Sequence, residues 1–223
     1  MNKHLKSNYI WNLIIFVFSI TIFFCLLILI TTNNNSLQTL DKQIAFFWSK
    51  NRLRFFDYFF VIVSYLGETK LIAVFCLILL LLPNRKDVGL PIVILTSISA
   101  FINLIIKISL MRERPDGYFL TEATLGYSMP TSYSFPSGHS QTANLFYFSL
   151  IFVCLKYFNH QWQKNFLAIF SIIFCFLMCF ARIYLGVHFF TDVVAGLMLM
   201  ISIISISVFI DKKTNKCSLN IYE

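Results

Sequence analysis

The sequence predicts an all-α, polytopic membrane protein: six transmembrane helices in one bundle, with an amphipathic helix at the interface. Three observations carry this. Of 223 residues, 58% are hydrophobic and only 13% are charged, an apolar share above the roughly 45 to 50% of soluble domains. The apolar residues fall in runs near the about 20 residues that a helix needs to cross a bilayer. The polar residues that interrupt them gather at helix ends. Six spans and their connections use nearly the whole length, which reads as one structural domain: residues 1–36 for the tail and first span, 37–210 for the bundle, and 211–223 for a terminal tail.

The first run, Tyr9 to Thr31, follows Lys3 and Lys6. It is too long for the apolar stretch of a signal peptide and lacks a small-residue cleavage pattern, so it reads as an uncleaved span. Leu37 to Arg54 is amphipathic, with Leu40, Ile44, Phe47 and Trp48 on one face and Asp41, Lys42, Lys50 and Arg52 elsewhere, which predicts a helix lying along the interface. Phe55 to Leu66 and Lys70 to Leu82, separated by Gly67, Glu68 and Thr69, read as one broken second span. Leu90 to Leu110, Gly138 to Leu155, Asn165 to Ala181 and His188 to Ile210 complete the six. The longest polar connection, Met111 to Pro136, is a candidate for function.

The formal charge of +8 is spread between apolar runs and forms no single basic stripe. That pattern speaks for anionic headgroups and against nucleic acid. Nine basic residues lie on the side of the termini (Lys3, Lys6, Arg85, Lys86, Lys156, Lys164, Lys212, Lys213 and Lys216) and nine on the other. With Lys107, Arg112, Arg114 and Arg182 set aside as site residues, the remainder places both termini in the cytoplasm. Five cysteines, Cys25, Cys76, Cys154, Cys175 and Cys179, sit inside apolar runs, with Cys217 in the tail, and read as core- or lipid-facing thiols rather than a disulfide framework.

Ionisable groups at membrane depth mark function. Lys107 ends the third span, His139 starts the fourth, Arg182 ends the fifth, and His188 and Asp192 start the sixth. With alternating directions all five reach the same side. His188 and Asp192 are four apart and share a helix face, so the carboxylate is expected to accept a bond from one imidazole nitrogen and leave the other as a nucleophile. Pro136-Ser137-Gly138-His139 is a tight turn into a helix, where backbone amides and the helix dipole favour an anion. Lys107, Arg114 and Arg182 offer donors suited to phosphoryl oxygens. Glu113, Asp116 and Glu122 make no magnesium site and no histidine–cysteine spacing makes a zinc site, so neither metal nor cofactor is expected. Arg112, Glu113 and Asp116 read as solvated loop charges, Tyr118 and Tyr184 as interfacial anchors, and His160 and Trp162 as residues of the opposite loop without a role.

In order, these motifs are Lys107 with Arg114-Pro115, Pro136-Ser137-Gly138-His139, and Arg182 with His188 and Asp192. The combination closely resembles the type 2 phosphatidic acid phosphatase family, whose site is similar to that of vanadium haloperoxidases, over roughly Leu37 to Phe209. The resemblance implies that His188 attacks phosphorus to give a phosphohistidine, Asp192 orients it, and His139 protonates the leaving group. Lys107, Arg114, Ser137, Gly138 and Arg182 would hold the phosphate. Ala181 stands where the family's third motif has serine, which removes one hydroxyl.

The function expected is metal-independent hydrolysis of a lipid phosphomonoester or diphosphate at the extracytoplasmic end of a bacterial plasma-membrane protein. Phosphatidylglycerophosphate, phosphatidic acid and undecaprenyl diphosphate are the candidate substrates, and no obligate protein partner is expected. Gly138 resembles the glycerophospholipid and broad-specificity members, because many dedicated undecaprenyl diphosphate phosphatases carry Asp there. Phosphoryl transfer to a sugar or second lipid is the alternative. An anion channel fits less well, since the charges gather at one end instead of lining a path.

Overall fold

The computed structural model describes residues 3–83, 85–119, 124–154 and 158–214. Among them are helices α1 (Lys3–Thr31), α2 (Asn35–Lys50), α3 (Arg54–Leu66), α4 (Thr69–Leu81), α5 (Leu90–Leu110), α6 (Asn144–Cys154), α7 (Gln161–Tyr184) and α8 (Phe190–Thr214), and no strand. Single π-helical turns at Arg85–Gly89 and His139–Ala143 lead into α5 and α6. Glu122, Leu155, Lys156, Lys216, Cys217 and the rest of the tail from 215 lie outside the described residues.

Four segments are long and apolar enough to cross a membrane: Ile10–Thr31, Arg85–Leu110, Gln161–Tyr184 and Phe190–Ile210. α3 and α4 together make a fifth, bent by 45°, in keeping with the broken span read from Gly67. The break has a local cause. Gly67 closes α3 with its N–H on the Ser64 and Tyr65 carbonyls, and Glu68 adopts an extended backbone before α4 starts. The expected span from Gly138 to Leu155 is met by a shorter piece, five residues of π-turn and eleven of α6. By length and composition the described residues supply four spans, or five with the bent pair, and the sixth expected one is described as helix only up to Cys154.

α1 packs along α8, tied by a buried Ser19–Ser202 hydroxyl pair at 2.8 Å, and its Phe23 stacks at 6.0 Å on Phe135 of the turn before α6. Its other face, with Trp11, Phe18, Phe24 and Ile28, is exposed, as a lipid-facing helix requires. α3 and α7 enclose a core in which Phe60, Phe180 and Tyr184 pack with Met178. Tyr184 is 1% exposed. Its hydroxyl accepts from the Leu53 N–H at 2.9 Å and donates to Asp57 Oδ1 at 2.9 Å. It ties α7 to the start of α3 and is no interfacial anchor, because a buried hydroxyl with two partners is better served in the core.

α2 buries a different face from the one its apolar spacing predicts. Asp41 and Ala45 are buried, with Ile44 and Trp48 packed against the core, while Leu40 and Phe47 are exposed. The reason is electrostatic. Asp41, 1% exposed, accepts from the Thr191 N–H (3.0 Å) and hydroxyl (2.5 Å) at the start of α8, and pairs with Arg112 at 2.8 Å. A carboxylate with this many charge-assisted bonds outweighs two apolar contacts that lipid satisfies as well. Replacing Asp41 with Ala should leave Arg112 and Thr191 short of partners and cost about 3 kcal/mol. This is measurable as a lowered thermal unfolding midpoint in detergent, with Asp41→Asn falling less because its amide oxygen still accepts from Thr191.

Candidate active site

The site forms where four chain segments end at the same level. α5 delivers Lys107 from its last turn. Met111 then takes a left-handed conformation (φ 50°), capping α5 and turning the chain so that Arg112 and Arg114 fold back over the bundle. The turn before α6 brings Ser134 to His139, α7 brings Arg182, and the short link to α8 brings His188, with Asp192 in the first turn of α8. Two amide side chains fix the register of this junction: Asn103 donates to the Pro136 carbonyl (3.2 Å) and to Gln141 Oε1 (2.8 Å), and Gln141 donates to the Ser99 carbonyl (3.0 Å).

Lys107, Arg114, Gly138, His139, Arg182 and His188 line one cavity of about 1120 Å³. From this cationic end the cavity runs between α4 and α5, past Ala100 and Thr96 to Leu77, Leu80 and Val93. Gly138 has an ordinary helical φ of −67°, and an added Cβ would meet only Asn103 Oδ1, at 3.5 Å. Its small size is therefore not demanded by the protein's own packing, and the space it leaves belongs to the cavity. Gly67 differs. A Cβ there would lie 2.4 Å from His139 Cδ2 and 2.7 Å from Met178 Sδ, so the break between α3 and α4 is pressed against the imidazole.

Two of the residues expected at the site, Ser137 and Asp192, are fully buried behind the cavity wall. Ser137 Oγ accepts from the Ser140 hydroxyl at 3.0 Å and the Ser140 N–H at 3.4 Å, so its oxygen caps the start of its own helix. The Ser137 N–H is spent on the Asp192 carbonyl at 3.0 Å.

The expected bond between Asp192 and His188 is not made directly. His188 Nδ1 lies 3.6 Å from Asp192 Oδ2, and the Ser134 hydroxyl stands between them, 3.2 Å from Nδ1 and hydrogen-bonded to Oδ2. Asp192 Oδ2 also accepts from the Phe189 N–H at 2.9 Å, capping the start of α8 from its third position, and Oδ1 pairs with Arg112. Arg112 is accordingly no solvated loop charge. It spans two buried carboxylates, donates to Thr191 Oγ1 at 2.8 Å, and sits 4.6 Å from the Phe189 ring centroid. Polar contacts set across the fold, invisible to local spacing, decide its environment.

The three other cations are held by main-chain carbonyls and hydroxyls. Lys107 Nζ donates to the Tyr133 carbonyl and, at 3.4 Å, to that of Ser134. Arg114 donates to Ser132 O (2.7 Å) and Val187 O (2.6 Å), with Nη1 3.2 Å from His188 Nε2. Arg182 Nη1 donates to the hydroxyls of Ser64 and, at 2.6 Å, of Tyr127, while its Nε is buried without a hydrogen-bond partner. Ser64 also binds His139 through its carbonyl, 2.9 Å from Nε2. Ser64, Tyr127 and Ser134 escape the sequence reading. The available signals were a lone serine in an aromatic run and a serine just ahead of Phe135-Pro136. Among the described residues, no three His, Cys, Asp or Glu side chains gather as a metal site.

Burial, with the charges of Arg114, Lys107 and Arg182 around it, holds the His188 imidazole well below its usual pKa of 6.5. Burial and the Arg182 charge bring Arg114 down to about 10, which leaves it charged at neutral pH. The consequence for His188 has a definite sign. The folded state keeps it neutral while the unfolded chain protonates it below about pH 6.5, so stability is lost as pH falls through that value. The unfolding midpoint in detergent should drop between pH 7 and pH 5, by up to about 1.4 kcal/mol per pH unit for this one group, and His188→Gln should remove that share of the slope.

The family model described as the PAP2 superfamily matches residues 88–216, which takes in every residue of the cluster from Lys107 to Asp192. Phosphatidylglycerophosphatase B of Bacillus subtilis is 31% identical over 112 residues, 50% of this chain and 52% of that protein. Undecaprenyl-diphosphatase of Sulfolobus acidocaldarius is 29% identical over 133 residues, 59% of this chain and 60% of that one. The chain thus spans about half to three fifths of the length of the curated relatives it matches. The crystal structure of a transmembrane PAP2 type phosphatidylglycerolphosphate phosphatase from Bacillus subtilis shares the fold, with a TM-score of 0.70 over 92% of this chain and 98% of that one at 24% identity. A match over more than half the chain that contains the whole histidine and arginine cluster establishes the family: the chain belongs to the PAP2 superfamily.

Proposed function

We propose that the chain is a membrane lipid phosphatase that cleaves a phosphomonoester or diphosphate headgroup through a phosphohistidine. One observation carries this reading: a single cavity joins a cluster of Lys107, Arg114, Arg182, His139 and His188 to an apolar slot between α4 and α5. A phosphate at the cationic end and an acyl or isoprenoid chain along the slot would fill it. The unpartnered Nε of Arg182 is the kind of buried donor that a phosphoryl oxygen satisfies. The names of the two curated relatives agree with a lipid phosphate substrate.

The residues support a two-step route. The lone pair of His188 Nε2 attacks phosphorus as the phosphorus–oxygen bond to the lipid breaks, and the leaving oxygen takes a proton from His139. Water then attacks the phosphohistidine, the phosphorus–nitrogen bond breaks, the water proton returns to His139, and phosphate leaves. The Ser64 carbonyl accepts from the Nε2–H of His139, which leaves Nδ1 as the nitrogen that exchanges the proton with the leaving oxygen. Lys107, Arg114, Gly138 and Arg182 cradle the phosphoryl oxygens, with Ser137 shaping the turn that carries Gly138. As charge spreads over those oxygens in the transition state, fixed cations in a water-poor site stabilise it more than they would in water.

Phosphatidylglycerophosphate and phosphatidic acid are favoured over undecaprenyl diphosphate, on the open space at Gly138. A bundle of six spans, with α6 as the short one, fits a bacterial plasma membrane with both termini cytoplasmic, α2 along the interface and the site facing outward.

Purified protein in detergent should release phosphate from at least one of the three lipids, fastest from the glycerophospholipids, and His188→Ala should lower kcat by roughly a thousandfold or more. Release from none of them refutes the phosphatase reading, and full activity of His188→Ala refutes the phosphohistidine. For orientation, Asp116→Cys places a thiol in the exposed loop beside the site. It should react with an impermeant reagent in intact cells above the wild-type background, and labelling only after permeabilisation would put the site inside.

A further inference from the structure

We infer that Ser134 is a positioning residue that carries the influence of Asp192 to His188 and fixes the tautomer in which His188 Nε2 is the nucleophile. The inference deepens the phosphatase reading and rests on it for its catalytic consequence, but its geometric basis is independent. Three contacts converge on one protonation pattern.

The first is at Nε2. Arg114 Nη1 lies 3.2 Å away, and a guanidinium only donates. Nε2 must therefore be the acceptor nitrogen, which leaves the hydrogen of a neutral imidazole on Nδ1. The second is at Oδ2 of Asp192. This carboxylate is paired with Arg112 and only accepts, so the Ser134 hydroxyl that bonds to it spends its one hydrogen there. The third follows from the other two. With its hydrogen committed, Ser134 Oγ faces Nδ1 at 3.2 Å with lone pairs alone and accepts the Nδ1–H. The chain reads Nδ1–H to Ser134 Oγ, and Ser134 O–H to Asp192 Oδ2.

The direct alternative is disfavoured by distance and by occupancy. Nδ1 and Oδ2 are 3.6 Å apart, beyond a normal hydrogen bond, and Oδ2 already accepts from the Phe189 N–H at 2.9 Å while Oδ1 serves Arg112. Ser134 has no freedom to leave. It is completely buried, its N–H is held by the Arg112 carbonyl at 2.8 Å, and the neighbouring Phe135 is locked in the core against Phe23. A serine so fixed reads out the position of Asp192 at the ring nitrogen with little conformational slack.

The full-length protein in detergent tests this with the lipid that the wild type hydrolyses best. Ser134→Ala should lower kcat by roughly 10- to 100-fold, the range for removing a partner that orients a reactive ligand, with KM little changed, and Ser134→Thr, which keeps the hydroxyl, should recover most of it. The Ser134→Ala/Asp192→Asn double variant should be no slower than Asp192→Asn alone, because a relay is lost once. Wild-type kcat in Ser134→Ala, or losses that multiply in the double variant, overturn the proposal. NMR of isotope-labelled histidine, with the His188 signal assigned by its loss in His188→Gln, decides the matter without turnover. The proposal requires the Nδ1–H form in the wild type and a weakened one in Ser134→Ala, and an Nε2–H form, or a signal that Ser134→Ala leaves unaltered, refutes it. If the wild type hydrolyses no lipid, the phosphatase reading fails while the NMR result still judges the relay.

Discussion

One guanidinium holds this structure at its functional end. Arg112 lies between the buried carboxylates of Asp41 and Asp192, and a charge removed from water survives only where such partners replace hydration. Through Asp41 it fixes α2 across the start of α8, and through Asp192 it sets the carboxylate behind His188. Without Arg112 two buried negative charges would face each other across Thr191. The left-handed Met111 has its purpose here, because it turns the chain after α5 back towards that gap.

The neighbouring cations follow the same logic with weaker partners. Lys107, Arg114 and Arg182 are held by carbonyls and hydroxyls, not by carboxylates. The positive charge of the two arginines is therefore steadied in place without being neutralised, and the cavity keeps a positive field. Behind His188, Asp192 is spent on Arg112 and on the serine hydroxyl, and Glu68 is the acidic residue that lines the cavity itself among the described residues. This division, neutralised charge behind His188 and free charge in front of it, is what an anionic ligand needs.

Much of this was legible in the chain. Apolar runs located the spans: α5 agrees with its run at both ends, and the break at Gly67 was foreseen from its composition. The ordering of Lys107, His139, Arg182 and His188 at alternate helix ends foretold their meeting in space, because alternating directions are forced on short-looped spans. Contacts between segments distant in sequence were not legible. Asp41 looked like the polar side of an amphipathic helix, Arg112 like a loop charge and Tyr184 like an anchor, since periodicity reports amphipathicity but says nothing of a specific ion pair. Ser134 was silent for the same reason. Its place between His188 and Asp192 follows from a separation of 3.6 Å between those two side chains, which no local spacing reports. The fourth run is helical from His139 to Cys154, as far as the described residues go.

Ser64 contributes twice to the site, with its hydroxyl on Arg182 and its carbonyl on His139. The two contributions differ in how exposed they are to genetic change. A hydroxyl disappears with a single codon, whereas a main-chain oxygen stays wherever the helix stays. The seat of His139 is thus inherited from the end of α3 itself, so sequence drift at position 64 can retune the cationic side of the cavity while leaving the histidine where it is.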